Sequence, residues 1–553
     1  MSQHKNIFSH VTEKNTSTKF NLRELGNISF GQLEGEKDQK LNSDTFFPTE
    51  TIKQLLCKHY NYVLSPKGVG KSAIFNAITN KFIPPLLFDY QKHSIVPINK
   101  AFGNDSEYLD PSKFKEEENR KNYSIYWGLY IMSELLKDIF KNHSDKHNFE
   151  NFKSKIKKVE GLKDKFKLYN VLEVINQLNI GFAFNISGQT IEIKPNIKYD
   201  SQLEKLSLND VFQIINDFYK ENNLEALIVI DRIDSFVAKE SIDIQKNYLQ
   251  GLIDCIEEIT FYRNLDPLLF LRTDLFYAFD LKFEYDKVKE RKIELKWEES
   301  EILNFIVYRF ISNKYILENF IGHFINFLKE SGTIETKKQT NLLGKFKDWF
   351  KRTFLKKRIN RLRNKNIPYQ TAENFLKLFF PSKLSFDNNK DFSEWIFEKF
   401  KDSNGFINPR VLIFFFNKLF ENQYLFIRQN KNYTETLEVE LTINTPNHFQ
   451  LFDEGTITKT YNTVQQEEII NIYKLLKSKN HQILFKEINI KSFETGKFRT
   501  GDLNIKNLGI EREELETLLT HLKLLGFCYE TEKQHFQVPP IYQSKLEPPS
   551  GIN

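Results

Sequence analysis

Apolar positions along the chain follow two patterns, and the change from one to the other divides the sequence. Between about residues 50 and 300, short apolar runs alternate with stretches of helical spacing. Residues 62–64 are an apolar run that stops at Ser65-Pro66-Lys67-Gly68, and helical spacing follows from 71 to 77. That order predicts strand, glycine-containing loop, helix. Residues 94–98 predict a second strand. The run 224–231, LEALIVID, is apolar, partly β-branched and closed by a carboxylate, the pattern of a strand buried on both faces of a parallel sheet. Residues 268–271 predict a further buried strand, ending in Arg272-Thr273-Asp274. Strands alternating with helices predict an α/β core with a parallel sheet.

Elsewhere the pattern differs. A long stretch from about 100 to 205 predicts a helix around 125–140 and a β-hairpin over 182–194, turning at Ser187-Gly188. Beyond Trp297 the spacing is helical. Residues 435–460 alternate and predict a small β element or a linker. From about 465, two helical segments precede two short strands, CYETEK and HFQVPP, which predicts a winged helix. The expected division is a lead-in over 1–50, a core over 51–300 with an insertion near 100–205, and a helical lid over 301–425. A linker or small β element over 426–464 and a winged-helix-like domain over 465–553 complete it. No internal repeat is present.

Composition changes this picture little. At 553 residues the chain holds three or four domains at about 150 residues each. Such a length buries enough apolar surface to need neither disulfides nor structural metal. The three cysteines, Cys57, Cys255 and Cys528, form no C-x-x-C pair, which fits a reducing compartment. The opening residues lack the apolar stretch of a signal peptide, and no uninterrupted apolar run reaches the ~18 residues of a membrane helix. The expectation is a cytoplasmic protein. A net charge of +6 permits a nucleic-acid partner without arguing for one.

The candidate chemistry is concentrated at Ser65-Pro66-Lys67-Gly68-Val69-Gly70-Lys71-Ser72, which matches G-x-x-x-x-G-K-[ST] at every fixed position but the first. Binding a polyphosphate requires backbone N–H groups turned into one concavity, and glycines allow that turn. The helix that follows adds the positive end of its dipole. Lys71 is the candidate ligand of the β- and γ-phosphates, and the Ser72 hydroxyl the candidate ligand of Mg²⁺. Asp231, on a neighbouring strand, is the second candidate for the metal; capping the turn after the strand is the alternative. Hydrolytic sites commonly place a glutamate after that carboxylate to polarise the attacking water, and this chain has Arg232 there. Asp234 is the candidate substitute base. Arg272 is a candidate reporter of the γ-phosphate or, alternatively, part of a salt-bridged loop. Arg410, in Asn408-Pro409-Arg410 at a helix start, is a candidate lid contact or a surface arginine.

The order of these motifs resembles the AAA+ and STAND ATPases, whose origin-recognition branch has a similar layout. FGQLEGEKD, SPKGVGKSAI, IVIDRID, FLRTDLF and the helix after Trp297 are similar to a group of poorly characterised bacterial P-loop ATPases, whose members read G-x-K-G-x-G-K-[ST] and D-R-[LI]-D. The resemblance spans about residues 30–310, and 400–420 more weakly. It implies ATP binding, slow hydrolysis, and use of the nucleotide to gate an interaction. This chain departs from it at Ser65 and in the ~160 residues between Lys71 and Asp231, which make 100–205 an insertion and a candidate surface for a protein partner.

Segment 337–365 carries twelve basic residues against one acidic residue, Asp348, with Phe346, Trp349, Phe350 and Phe354 interleaved. Clustered charge of this kind suits DNA or RNA phosphates, a solvated helical insert, or an anionic membrane surface. The second helix of the expected winged helix begins with Glu511, Glu513, Glu514 and Glu516, which oppose phosphate. Two functions remain open: an ATP-hydrolysing switch, with homo-oligomerisation as one form of it, and a nucleotide-stabilised DNA-binding or signalling scaffold without turnover.

Overall fold

The computed structural model describes residues 18–21, 26–33, 46–57, 60–99, 120–158, 183–186, 189–192, 208–233, 242–278, 290–313, 316, 367–377, 379–381, 383–430, 438–441, 451–476, 478–503, 505 and 509–546. The chain divides into two compact units, Glu50–Leu295 and Met1–Thr49 with Lys296–Asn553. The first described element is β1 (Thr18–Asn21). The unit Glu50–Leu295 then runs α1 (Glu50–Cys57), β2 (Tyr62–Ser65), α2 (Lys71–Thr79), β3 (His93–Ile98), α3 (Arg120–Asn142), α4 (Phe149–Lys158), β4 (Ala183–Ile186) and β5 (Gln189–Glu192). It continues with α5 (Leu208–Glu221), β6 (Glu225–Ile230), α6 (Ile242–Ile259), β7 (Leu265–Arg272), α7 (Thr273–Ala278) and β8 (Lys292–Glu294). The other unit carries α8 (Glu299–Ile311), α9 (Tyr369–Leu376), α10 (Phe392–Phe400), α11 (Pro409–Asn430), β9 (Glu438–Leu441) and α12 (Glu454–Leu475). It ends with α13 (Lys479–Ser492), β10 (Lys497–Arg499), α14 (Arg512–Leu524), β11 (Tyr529–Glu532) and β12 (His535–Gln537).

The first unit is built on a five-stranded sheet in the order β3-β6-β7-β2-β8. Every pairing in it is parallel. The apolar runs explain why: Tyr62, Val63 and Leu64 of β2 and Ala226, Ile228, Val229 and Ile230 of β6 are each at 0% exposure, so both faces of these strands are covered by helices. Parallel strands joined through helices bring the C-terminal ends of β2, β6 and β7 to one edge. That edge is where ligands of such sheets bind.

Part of the expected insertion belongs to this core. Helix α3 lies against α6 at Gly251, where an added Cβ would fall 2.5 Å from Tyr123 Cβ, so only glycine permits the approach. Trp127 is buried there and donates its indole N–H to Tyr248 O at 3.1 Å. Strands β4 and β5, expected from 182–194, pair antiparallel with Asn185 opposite Thr190. Residues 100–119, 159–182, 187–188 and 193–205 of the insertion, the expected turn at Ser187-Gly188 among them, lie outside the described residues, as does the basic segment 337–365.

The second unit has an aromatic core. Phe30 stacks on Phe416 with ring centroids 4.4 Å apart, and Phe380 stacks on Phe392 at 3.6 Å. Its residues Phe30 and Gly31 are held to α11 by a side-chain amide. Asn417 Oδ1 accepts from Phe30 N at 2.6 Å, and Asn417 Nδ2 donates to Gly31 O at 2.8 Å. Residues 438–441, within the alternating segment, form β9, which pairs antiparallel with β1. From Glu454 onward, however, that segment is helix, with Asp453 as the N-cap accepting from Thr456 N at 2.9 Å. The threonines that read as strand here return their hydroxyls to the preceding turn: Thr458 to Glu454 O at 2.9 Å and Thr460 to Thr456 O at 2.7 Å. Burial of Ile457, Tyr461 and Val464 on one helical face outweighs their β propensity.

At the C-terminal end, α13, β10, α14 and the hairpin β11–β12 follow one another, with β12 central in a three-stranded antiparallel sheet. Both strands expected from CYETEK and HFQVPP are present; β10 was not anticipated. Among the described residues, no helix is long and apolar enough to cross a membrane.

Candidate functional site

Residues 66–70 leave the end of β2 and turn into α2. Two glycines make that turn, Gly68 at φ 92° and Gly70 at φ 117°. An L-residue with a side chain rarely adopts either angle, so the motif's glycines are required by the backbone path. An added Cβ at Gly70 would meet nothing within 4 Å, so the concavity beside it is open and the constraint is conformational. The first helical bond of α2 is Ile74 N to Gly70 O at 3.0 Å, so the amides of Lys71, Ser72 and Ala73 precede the helical ladder. Val69 is 2% exposed and anchors the loop from beneath, while Lys67 is exposed and Lys71 and Ser72 are half-buried. The Lys71 ammonium reaches across the turn and donates to Ser65 O, Ser65 Oγ and Pro66 O, each at 2.9 Å.

The polar strand ends gather at the same edge. Ser65 and Arg272 are register partners across β2 and β7. Arg272 is the last residue of β7, and its guanidinium grips Asp274 in two bonds, Nε to Oδ1 at 3.0 Å and Nη2 to Oδ2 at 2.5 Å. The salt-bridge alternative for Arg272 is therefore present in the structure, with Asp274 as the partner and the Arg272 side chain 19% exposed. The bidentate pair holds the guanidinium plane beside the loop.

Asp231 follows β6, is 2% exposed, and donates its amide to Ile98 O at 3.1 Å. Its strand is not the neighbour expected: β7 lies between β6 and β2. The pairings Ile230–Leu269 and Tyr62–Leu269 put Asp231 level with Val63, two residues or about 7 Å below Ser65 along the strand. Parallel order alone could not reveal this, because sheet neighbours need not be sequence neighbours. Arg232, in the position where a glutamate is usual, has φ 63°, a left-handed turn that lets Ile233 return to the core at 1% exposure. Asp234 lies outside the described residues.

Arg410 belongs to the other unit, as the second residue of α11. Its amide donates to Asn408 Oδ1 at 2.9 Å and its Nε to Leu33 O at 3.0 Å. With Asn417, it ties the segment Phe30–Leu33 to α11, a role for FGQL that the sequence pattern did not signal.

The geometry of the first unit settles its class: a parallel sheet whose strand β2 runs through a two-glycine turn into a helix headed by Lys71-Ser72. It is an α/β P-loop core.

No protein-family model matches this chain, and no curated protein matches it. Among solved structures it is similar to a Walker-type ATPase of Pyrococcus abyssi, with 14% identity and a TM-score of 0.36 over 91% of this chain and 96% of the other. It is also similar to the ORC2 protein of Aeropyrum pernix, solved as ADPNP–ADP complexes, with 10% identity and a TM-score of 0.35 over 91% of this chain and 94% of the other. Both scores are low, and the P-loop assignment rests on the sheet and the turn.

Proposed function

We propose that the chain is an ATP-binding, ATP-hydrolysing switch that gates a protein or nucleic-acid interaction. The observation that carries this reading is the turn at 66–70, with two left-handed glycines, amides at a helix start, and the Lys71 ammonium at its mouth. Such a turn supplies N–H donors and a positive charge to one concavity, which suits a triphosphate.

The donor set also fits a divalent cation. Ser72 heads α2 with a hydroxyl, and Asp231 offers a buried carboxylate from the same sheet edge. Bound Mg²⁺ would draw charge from the phosphate oxygens. In this reading the residues Ser65, Pro66, Lys67, Gly68, Val69 and Gly70 wrap the phosphates, Lys71 neutralises the outer ones, and Arg272 stands where the γ-phosphate would be reported. Asp234 is the candidate base, and a role for Arg410 in sensing phosphate loss belongs to the same proposal. We read the C-terminal α13–β10–α14–β11–β12 arrangement as a winged helix, on its element order and its three-stranded sheet. Glu513 and Glu514 in the first turn of α14 favour a protein partner over DNA for that element. The basic segment 337–365 remains the candidate surface for DNA or RNA.

A second reading, a nucleotide-stabilised scaffold without turnover, is favoured by Arg232. The position that commonly carries the water-polarising glutamate holds a cation in a left-handed turn. Lys71→Ala is expected to abolish ATP binding in a titration, and unchanged affinity defeats the nucleotide site altogether. Phosphate release measured with and without DNA and RNA, at two salt concentrations, separates switch from scaffold. Turnover that Asp234→Asn removes supports the switch; no turnover under any condition supports the scaffold.

A further inference from the structure

The two faces of the C-terminal sheet differ in chemistry. Strand β12 lies between β10 and β11, and side chains alternate across each strand. Phe498 of β10 and Phe536 of β12 are register partners at 3% and 4% exposure, stacked with ring centroids 5.0 Å apart. They mark the inner face. Their neighbours therefore belong to the outer one: Lys497 and Arg499 on β10, His535 and Gln537 on β12. Tyr529 of β11 pairs with Gln537, which puts it on the same outer face, 39% exposed. Glu530 pairs with Phe536 and lies on the inner side, where Lys523 of α14 neutralises it at 2.8 Å. Helix α14 covers that inner side, with Lys523 Nζ 5.2 Å from the Phe536 ring centroid, so the outer face is the one turned away from this helix.

The outer face is positive along one edge and aromatic along the other. Lys497 and Arg499 are exposed and stand about 7 Å apart along β10. The ion pairs of this region join Arg512 to Glu516 and Lys523 to Glu530; among the described residues, Lys497 and Arg499 enter none. Tyr529 stands two strands away, about 10 Å across the sheet. One acid shares the face: Glu532, opposite His535 at the hairpin end of β11, which leaves the β10 edge as the place for an anion. The frame is fixed. Val538 N donates to Gly496 O at 2.7 Å and Thr500 N to Gln534 O at 3.1 Å, closing the ladder at both ends of β10. Gly496 enters the strand at φ 67°, where an added Cβ would fall 2.2 Å from Gln543 Nε2.

Cations on one strand and an exposed ring on another are the parts that a single nucleic-acid strand requires, since phosphates follow the charge and a base stacks on the ring. A duplex keeps its bases inside and offers the ring nothing to stack on. An acidic peptide would use the cations alone. We propose that the outer face of β10–β12–β11 binds single-stranded nucleic acid, with phosphates over Lys497 and Arg499 and a base on Tyr529. This surface is distinct from segment 337–365 and independent of the P-loop, so it stands whichever way the nucleotide reading falls.

The full chain is titrated with a labelled oligothymidylate and with a duplex of the same length, by fluorescence anisotropy. Tyr529→Ala is expected to weaken single-strand binding about five- to a hundredfold, the worth of one stacked base, without changing its salt dependence. Tyr529→Phe is expected to retain it, and duplex binding to ignore both. Lys497→Gln with Arg499→Gln is expected to weaken it and to lower the slope of log affinity against log salt by about 1.4, two phosphate contacts at about 0.7 each. All three positions are exposed, and an unchanged Tm shows that the variants fold. Segment 337–365 is intact in every variant, so these losses place the strand on the sheet face. Absent single-strand binding, or affinity that Tyr529→Ala leaves unchanged, overturns the proposal. Polyglutamate or phosphatidylserine vesicles that displace the oligonucleotide at equal concentration would show a face selecting charge alone, and the proposal falls then too.

Discussion

The core of the first unit contains a buried carboxylate whose removal has a calculable cost. Asp138 of α3 accepts from Ser94 Oγ of β3 at 2.6 Å, Tyr219 OH of α5 at 2.7 Å and Asn142 Nδ2 at 2.8 Å, with His143 Nε2 3.3 Å away. Burial alone would raise its pKa, but hydrogen bonds from His143, Ser94, Asn142 and Tyr219 outweigh burial and hold it below the ordinary carboxylate value. Asp138→Ala strands the enclosed hydroxyl of Tyr219, at 0% exposure, while Ser94 Oγ keeps His143 Nε2 at 2.8 Å. The orphaned donor costs about 1–3 kcal/mol and the lost bonds from Ser94 and Asn142 to the charged carboxylate add to it, so a loss of about 3–5 kcal/mol is expected. In a unit of this size that lowers Tm by about 10 °C. Thermal and urea unfolding of wild type and variant measure it.

The pH dependence has a definite sign. Because the folded pKa is depressed, Asp138 contributes stability above its unfolded value, and that contribution is lost as pH falls through the lowered folded value. Asp138→Asn should therefore lose stability at neutral pH and show a shallower acid limb than wild type. Ser94 is the second residue of β3, at the sheet end opposite the P-loop, so nucleotide affinity of the folded variant should be unchanged. A shift below 1 kcal/mol, or an unaltered acid limb, would refute the reasoning.

Three further outcomes are expected. Gly70→Ala meets no steric obstacle but must adopt φ 117°, so ATP titration should show at least tenfold weaker binding with a Tm change of only a few degrees. Asn417→Ala removes both bonds that hold Phe30 and Gly31 to α11, which should cost about 2 kcal/mol and open residues near 26–33 to limited proteolysis; an unchanged cleavage pattern would contradict the clamp. Burial pushes the Asp402 carboxyl up to about 6, despite hydrogen bonds from the Phe406 and Asn404 amides. The folded state then binds the extra proton, so its contribution is full below the unfolded value near 4 and is lost as pH rises through about 6; Asp402→Asn should flatten unfolding free energy across that window, and identical pH profiles would exclude the effect.

What the amino-acid order determined by itself was local. Apolar runs without alternation set β2, β6 and β7 as strands covered on both faces, because no polar side chain was available for a wet face. The spacing Gly68-x-Gly70-Lys71-Ser72 set the turn and the helix start, because those backbone angles are open to glycine and closed to most other residues. Tertiary structure decided everything that depends on which elements meet. It inserted β7 between β2 and β6, placing Arg272 rather than Asp231 beside the loop, since strand order is chosen by helix packing over the whole sheet. It turned the threonine-rich stretch after Asp453 into helix by burying one of its faces. It also gave Ser65 a partner six residues away, a contact created by the fold of the turn, which pattern along the chain does not encode.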